Sequence, residues 1–254
     1  MDVFQAIVLG IVEGATEFLP ISSTGHQILV SHLLNIPDTE FLKSFQIIIQ
    51  LGAILAVFTL YAKRFFEIET LKKLFVAFVP TGIIGFALYG FVKTQLIGNE
   101  LVVVAALFLG GIALIGFEYL HTEGSQDTVD SITYKQAALI GLCQSIAIIP
   151  GVSRSAATIV GGMLLGMKRT LIVEFSFLLA VPTMAVATGF DIIKNVDTIF
   201  AGGIGILALG FVVSFIVSIF AVKFLLAFVR AYSFVPFGIY RIVLAVLFFS
   251  IFLL

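Results

Sequence analysis

The chain has 254 residues, 60% hydrophobic and 11% charged, with a mean hydropathy of +1.19 and a formal net charge of -1. That composition places it among polytopic membrane proteins and excludes a soluble globular domain. The near-neutral charge gives no electrostatic case for nucleic acid as a partner. The single Cys143 excludes an intrachain disulfide and has no partners for a cysteine metal site. No basic n-region follows Met1-Asp2, so insertion is expected to use the first hydrophobic segments themselves.

A spanning helix needs ~20 mostly apolar residues to cross ~30 Å of hydrocarbon. Val3 to Phe18 falls short of this and carries carboxylates at its end. Pro20 interrupts, and Ser23 to Leu34 is shorter still. Two short helices joined by a polar, Pro-containing turn predict a re-entrant hairpin, whose tip must be shielded by protein or line a cavity; the plainer alternative is one long kinked span. Asn35 to Lys43 reads as a polar break and Phe45 to Tyr61 as a span with Gln46 and Gln50 on one face. Lys63, Arg64, Lys72 and Lys73 are expected to share the next loop. Leu74 to Val92 and Leu101 to Leu120 are spans, separated by a short loop from Lys93 to Glu100. His121 to Ser131 is the longest polar loop. Tyr134 to Ile149 and Ser153 to Met167 then repeat the short-arm, Pro-Gly turn, short-arm pattern. Leu171 to Phe190, Ile199 to Val222 and Tyr232 to Leu254 complete the spans. The predicted fold is all-α: six transmembrane helices plus two re-entrant hairpins in one membrane domain.

An offset of 131 residues lays Gln5 to Glu13 over Gln136 to Gln144 and Ser22 over Ser153. Residues 1–123 and 132–254 are therefore read as repeats, each a hairpin followed by three spans. An odd number of crossings per half inverts the second half, a plan familiar from transporters with broken helices. The basic Lys63 to Lys73 region is expected on the cytoplasmic side, which puts both termini outside.

The chemistry concentrates at the two hairpin turns. Glu13 and Glu17 are four apart and share a helix face, as do Ser23 and His26 at a spacing of three. Two carboxylates near a helix C-terminus in low dielectric repel each other and oppose the dipole. A divalent cation or a cationic neighbour resolves this, and Arg154 is the obvious neighbour. Ser22-Ser23 and Ser153 hold N-cap-like positions, so both helix starts offer free N–H groups to an anion. Those ends plus a guanidinium fork suit a phosphate. Thr24, Ser155 and Thr158 complete the candidate phosphate-binding set, although Ser155 and Thr158 serve equally well as interhelical hydrogen bonders. Glu13 can equally be a satisfied structural carboxylate, and Ser23 a cap instead of a nucleophile. Ionisable groups at membrane depth are expensive, which favours the functional reading.

The stretches Glu13-Gly14-x-x-Glu17-Phe18-Leu19-Pro20-x-Ser22-Ser23-Thr24-Gly25-His26 and Pro150-Gly151-x-Ser153-Arg154-Ser155-x-x-Thr158 resemble the two signature motifs of the bacitracin-resistance type undecaprenyl-pyrophosphate phosphatases. The resemblance covers essentially the whole chain, and both motifs are complete. It implies an integral enzyme of the bacterial plasma (inner) membrane that takes undecaprenyl pyrophosphate among the membrane lipids to the monophosphate carrier used in peptidoglycan synthesis. It also implies a divalent-cation cofactor, magnesium or calcium. Joined to the reading of the residues, Glu13 and Glu17 are the candidate metal ligands. Ser23 is the candidate nucleophile, His26 the base, Glu17 its orienter or a ligand, and Arg154 the charge stabiliser. Direct attack by water, with Ser23 only a ligand, is the alternative within the enzyme class. A transporter or flippase of a lipid-linked phosphate is the alternative outside it. Oligomeric state is not readable; a homodimer is one option.

Overall fold

A computed structural model describes residues 1–96, 99–194 and 203–252. The helices in chain order are α1 (Val3–Thr16), α2 (Ser23–Leu33), α3 (Glu40–Leu60), α4 (Ile68–Phe91), α5 (Glu100–Leu120), α6 (Tyr134–Gln144), α7 (Arg154–Leu164), α8 (Arg169–Lys194), α9 (Ile204–Ala231) and α10 (Val235–Phe252). Short 3-10 turns at Ala62–Phe66, Val129–Ser131 and Ser145–Ile148 join them, and no strand occurs among the described residues.

Both expected hairpins form. Asp2 caps α1 in a reciprocal capping box with Gln5, and Thr133 caps α6 in the same way with Gln136. At 14 and 11 residues, α1 and α2 are about 21 and 16 Å long. Neither can cross a membrane alone. The turn between them is enclosed by protein: Phe18 and Ile21 sit in a core with Ile54 and Val57 of α3, Val173 and Phe177 of α8, and Leu225 of α9. Irregular backbone is tolerated at that depth only when covered in this way.

Among the described residues five helices are long and apolar enough to cross a membrane: α3, α4, α5, α8 and α9. The expected sixth, from Tyr232, starts later at Val235 and its described length is 18 residues, just under a full span; Leu253 and Leu254 lie outside the described residues. Ile97 and Gly98 of the expected Lys93–Glu100 loop lie outside too, as do residues 199–202 of the expected fifth span. Other boundaries also differ from the expected ones, three of them for a readable reason. The side chain of Thr39 accepts from the N–H of Leu42, so α3 begins within the predicted polar break. Lys72 and Lys73 lie in the first turns of α4 instead of a loop, and Lys73 is buried, donating to the carbonyls of Val129 and Asp130 at 3.2 and 2.8 Å. Lys223 does not end α9, which runs on to Ala231; lysine is a good helix former, and Arg230 in the last turn complements the helix dipole.

Packing follows an exchange of halves. α1 packs on α9 while α6 packs on α4; α3 meets α8 and α5 meets α10. The 131-residue offset carries Ser23–Leu33 onto the bounds of α7. It also relates Gly10 to Gly141. A Cβ on Gly10 would lie 2.8 Å from the Gly210 carbonyl oxygen, and one on Gly141 would lie 1.8 Å from that of Ala77. Both seams close because those two positions lack a side chain.

Candidate active site

The helix starts after the two turns share an uncommon backbone. Ser22 has φ 71 and Ser153 φ 75, the only positive-φ residues besides glycine and Asn35 among those described. Each serine swings its hydroxyl over its own helix start: Ser22 Oγ accepts from the Gly25 N–H at 3.4 Å and Ser153 Oγ from the Ala156 N–H at 3.2 Å. A left-handed conformation at a non-glycine residue costs free energy and persists where the surroundings impose it. The first two N–H groups of α2 and α7, on Ser23, Thr24, Arg154 and Ser155, have no hydrogen-bond partner among the described residues. Such groups and the positive end of the helix dipole form a ready anion site.

Both helix starts open on one cavity of about 170 Å³. Glu17, Ser22, Ser23, Thr24, Ser153 and Arg154 line it, together with Gln50 of α3. Ser23 Oγ donates to Glu17 Oε2 at 2.6 Å. Arg154 Nη2 donates to the other oxygen, Oε1, at 3.0 Å, and its Nη1 donates to the Ser176 carbonyl at 3.0 Å. The guanidinium carbon stands 5.9 Å over the Phe18 ring, which itself packs edge-on against Phe177 at 5.4 Å. One carboxylate of the first hairpin thus holds a hydroxyl of its own hairpin and the guanidinium of the other.

His26 is buried one turn beyond Ser23, but its ring does not engage that hydroxyl. Nδ1 lies 2.7 Å from the Ser22 carbonyl oxygen and Nε2 lies 2.7 Å from Tyr240 Oη. A carbonyl can only accept, so Nδ1 carries the proton and Nε2 of the neutral ring accepts from Tyr240. The two rings are parallel, 4° apart in plane with centroids at 5.6 Å. Glu17 therefore contacts Ser23 and Arg154 rather than orienting His26.

Glu13 is fully buried behind the cavity. Its Oε2 accepts from Gln27 Nε2 at 3.2 Å, while its Oε1 and Gln27 Oε1 are buried oxygens without a hydrogen-bond partner among the described residues. Among the described residues no group of three His, Cys, Asp or Glu side chains has metal-binding proximity. The two unsatisfied oxygens belong to Glu13 and Gln27, and oxygen acceptors of this kind, with the Glu17 carboxylate one helical turn along, fit the chemistry of a hard cation such as magnesium or calcium.

Ser155 and Thr158 are placed elsewhere than expected. Ser155 Oγ donates to the Phe18 carbonyl at 2.8 Å, tying the second hairpin to the first turn, and Thr158 Oγ1 pairs with Ser176 Oγ at 2.6 Å. Neither hydroxyl lines the cavity: that of Ser155 ties the two hairpins together and that of Thr158 ties α7 to α8, which leaves the Ser155 N–H at the helix start as its part of the anion site. Sequence reasoning missed Tyr240 and Arg241 of α10. The available signal was an arginine well inside the last apolar segment, which merits the same suspicion as Arg154.

A sequence profile for the family described as "Bacitracin resistance protein BacA" matches residues 6–247. A Wolinella succinogenes protein named undecaprenyl-diphosphatase is 52% identical over 251 residues, covering 98% of this chain and 97% of its own. Proteins of the same name from Aquifex aeolicus and Sulfurihydrogenibium are each 51% identical, covering 100% and 98% of this chain and 100% and 99% of their own.

Proposed function

The chain belongs to the bacitracin resistance protein BacA family, and from that premise and the geometry of the two hairpins we propose that it is an integral-membrane undecaprenyl-diphosphatase. It releases inorganic phosphate from undecaprenyl pyrophosphate and leaves the monophosphate carrier for wall synthesis. The observation that carries the reading is the Ser23–Glu17–Arg154 arrangement, in which nucleophile, proton acceptor and phosphate-binding cation meet across two hairpins. A carrier that only moves a lipid phosphate has no use for a serine hydroxyl donating to a buried carboxylate.

The proposed sequence of events follows from those contacts. The diphosphate settles over the starts of α2 and α7, where the four free N–H groups and Arg154 bind its oxygens. Ser23 Oγ attacks the terminal phosphorus as its proton passes to Glu17. The bridging P–O bond breaks, and undecaprenyl monophosphate leaves with the bridging oxygen. Water then cleaves the Ser23 phosphoester, with His26 Nε2, freed from Tyr240, accepting its proton, and Ser23 recovers a proton from Glu17. As charge develops on the transferring group, Arg154 and the helix starts are already in place to stabilise it. Glu13, Glu17 and Gln27 are the residues that would hold magnesium or calcium. Bound there, the ion would supply neutralising charge for the phosphates.

We place the enzyme in the bacterial plasma membrane with both termini outside, and read residues 1–123 and 132–254 as inverted repeats. The shared serine geometry, the 131-residue offset and the exchange-of-halves packing support that reading. The test is a product assay. Purified protein in detergent given undecaprenyl pyrophosphate is expected to release one phosphate per monophosphate lipid formed. Substrate returned intact from an otherwise folded preparation would overturn the assignment.

A further inference from the structure

Arg241 of α10 is completely buried, and among the described residues no carboxylate pairs with it. Its guanidinium spends all its N–H groups on backbone carbonyls. Nε donates to Leu107 at 3.3 Å, Nη1 to Pro20 at 3.2 Å and Val152 at 2.8 Å, and Nη2 to Ala106 and Gly151, each at 3.0 Å. Pro20 belongs to the first hairpin turn, Gly151 and Val152 to the second, and Ala106 and Leu107 to α5. One side chain therefore bonds both turns and the helix beneath them. A guanidinium has five donors in a rigid planar fork, whereas an ammonium has three on a flexible stem.

Its opposite number matters equally. Gly110 of α5 precedes Arg241 by the same 131 residues that relate the two halves. A Cβ on Gly110 would lie 2.2 Å from Arg241 Nη2 and 2.9 Å from its central carbon. A free arginine tip would swing aside at small cost, but this one is pinned by five hydrogen bonds. The pair breaks the internal symmetry at the point where the halves meet: one half supplies the fork and the other supplies the space.

We infer that Arg241, seated against Gly110, is a positioning residue that sets the spacing of the two hairpin turns, and with it the placement of Ser23 relative to Arg154. An uncompensated guanidinium at membrane depth is costly to retain. Its contacts go to the two turns that carry the reacting groups, not to distant parts of the fold. Reacting atoms misplaced by ~1 Å can lose on the order of 10²-fold in rate. The inference rests on the phosphatase reading for its rate consequence and on the geometry alone for the clasp.

The test pairs backbone amide exchange with kinetics on full-length protein in detergent. Arg241→Lys keeps the charge and loses donors, while Gly110→Ala keeps the arginine and displaces its fork. In each variant, exchange should speed up at both turns, in peptides covering 18–24 and 149–155, while α3 and α8 stay protected. Turnover should fall about 10- to 100-fold, with the larger share in kcat. Lysine leaves room beside residue 110, so Gly110→Ala should cost at most about threefold more in the Arg241→Lys background, a non-additivity expected of groups in contact. Unchanged exchange at either turn would overturn the clasp. Looser turns with turnover within about twofold of wild type, or losses that multiply independently, would overturn the positioning role. Should wild-type protein release no phosphate, the phosphatase reading fails, whereas the exchange result still decides the clasp.

Discussion

At the residue scale the site depends on a single carboxylate with two tenants. Glu17 holds the Ser23 hydroxyl on one oxygen and the Arg154 guanidinium on the other. Arg154 also reaches the Ser176 carbonyl through Nη1, so its plane is fixed from two sides. Arg154→Lys keeps the charge and loses that fork. It should weaken substrate binding as well as slow turnover, by ~10-fold or more in kcat/KM, about 1.4 kcal/mol. Unchanged affinity in equilibrium binding of a non-hydrolysable diphosphate would remove Arg154 from the phosphate site. The glutamates, serines and Arg154 were legible in the sequence because each is polar in an apolar setting and lies beside a turn. Tyr240 was not. It is 214 positions from His26, and only the packing of α10 brings its hydroxyl to the imidazole. Arg241 was legible in principle, since a charge inside Tyr232 to Leu254 has no cheap explanation in lipid.

At the element scale, both hairpins were readable because a proline breaks each apolar stretch before it can span, and α2 and α7 fall within a residue of their expected starts. The start of α3 and the end of α9 were not readable from hydropathy. A threonine cap and a tolerated lysine set them, and neither alters the apolar pattern. What the sequence hides most is helix spacing. Gly141 is one of 23 glycines and looks like any other, yet α6 meets the Ala77 carbonyl of α4 at that position. Gly141→Ala must therefore push the helices apart. Overpacking of this kind costs about 1–3 kcal/mol. Gly116→Ala is the control: nothing lies within 4 Å of a Cβ there, and replacing glycine inside a helix is favourable by roughly 0.5–1 kcal/mol. Thermal unfolding in detergent should rank the proteins Gly116→Ala, wild type, Gly141→Ala in falling order. An unchanged midpoint for Gly141→Ala would contradict the close seam.

At the scale of the whole molecule, the two halves differ where it counts. The offset that superposes Ser22 on Ser153 places Ser23 on Arg154 and Glu13 on Gln144, so one half carries Ser23 and the carboxylates and the other the guanidinium. The proposed inversion of the halves, with the basic loop in the cytoplasm, predicts sidedness. Cysteines at Lys63 and Asn99, both exposed, should be labelled from opposite faces of sealed cells, Lys63→Cys only from the cytoplasm. Labelling of both from one face would sink the inverted plan. The oxygen donor set predicts that exhaustive chelation suppresses phosphate release and that magnesium or calcium restores it; full activity after chelation would free Glu13 and Glu17 from a metal role. The most direct test of the account is turnover measured beside substrate affinity for Ser23→Ala. A small polar-to-small exchange leaves little cavity, so the protein should fold and bind undecaprenyl pyrophosphate through Arg154 and the two helix starts. Its turnover should fall by about 10²-fold or more. Retention of more than about a tenth of wild-type turnover, well short of that 10²-fold loss, would show that water attacks without Ser23 and contradict the account.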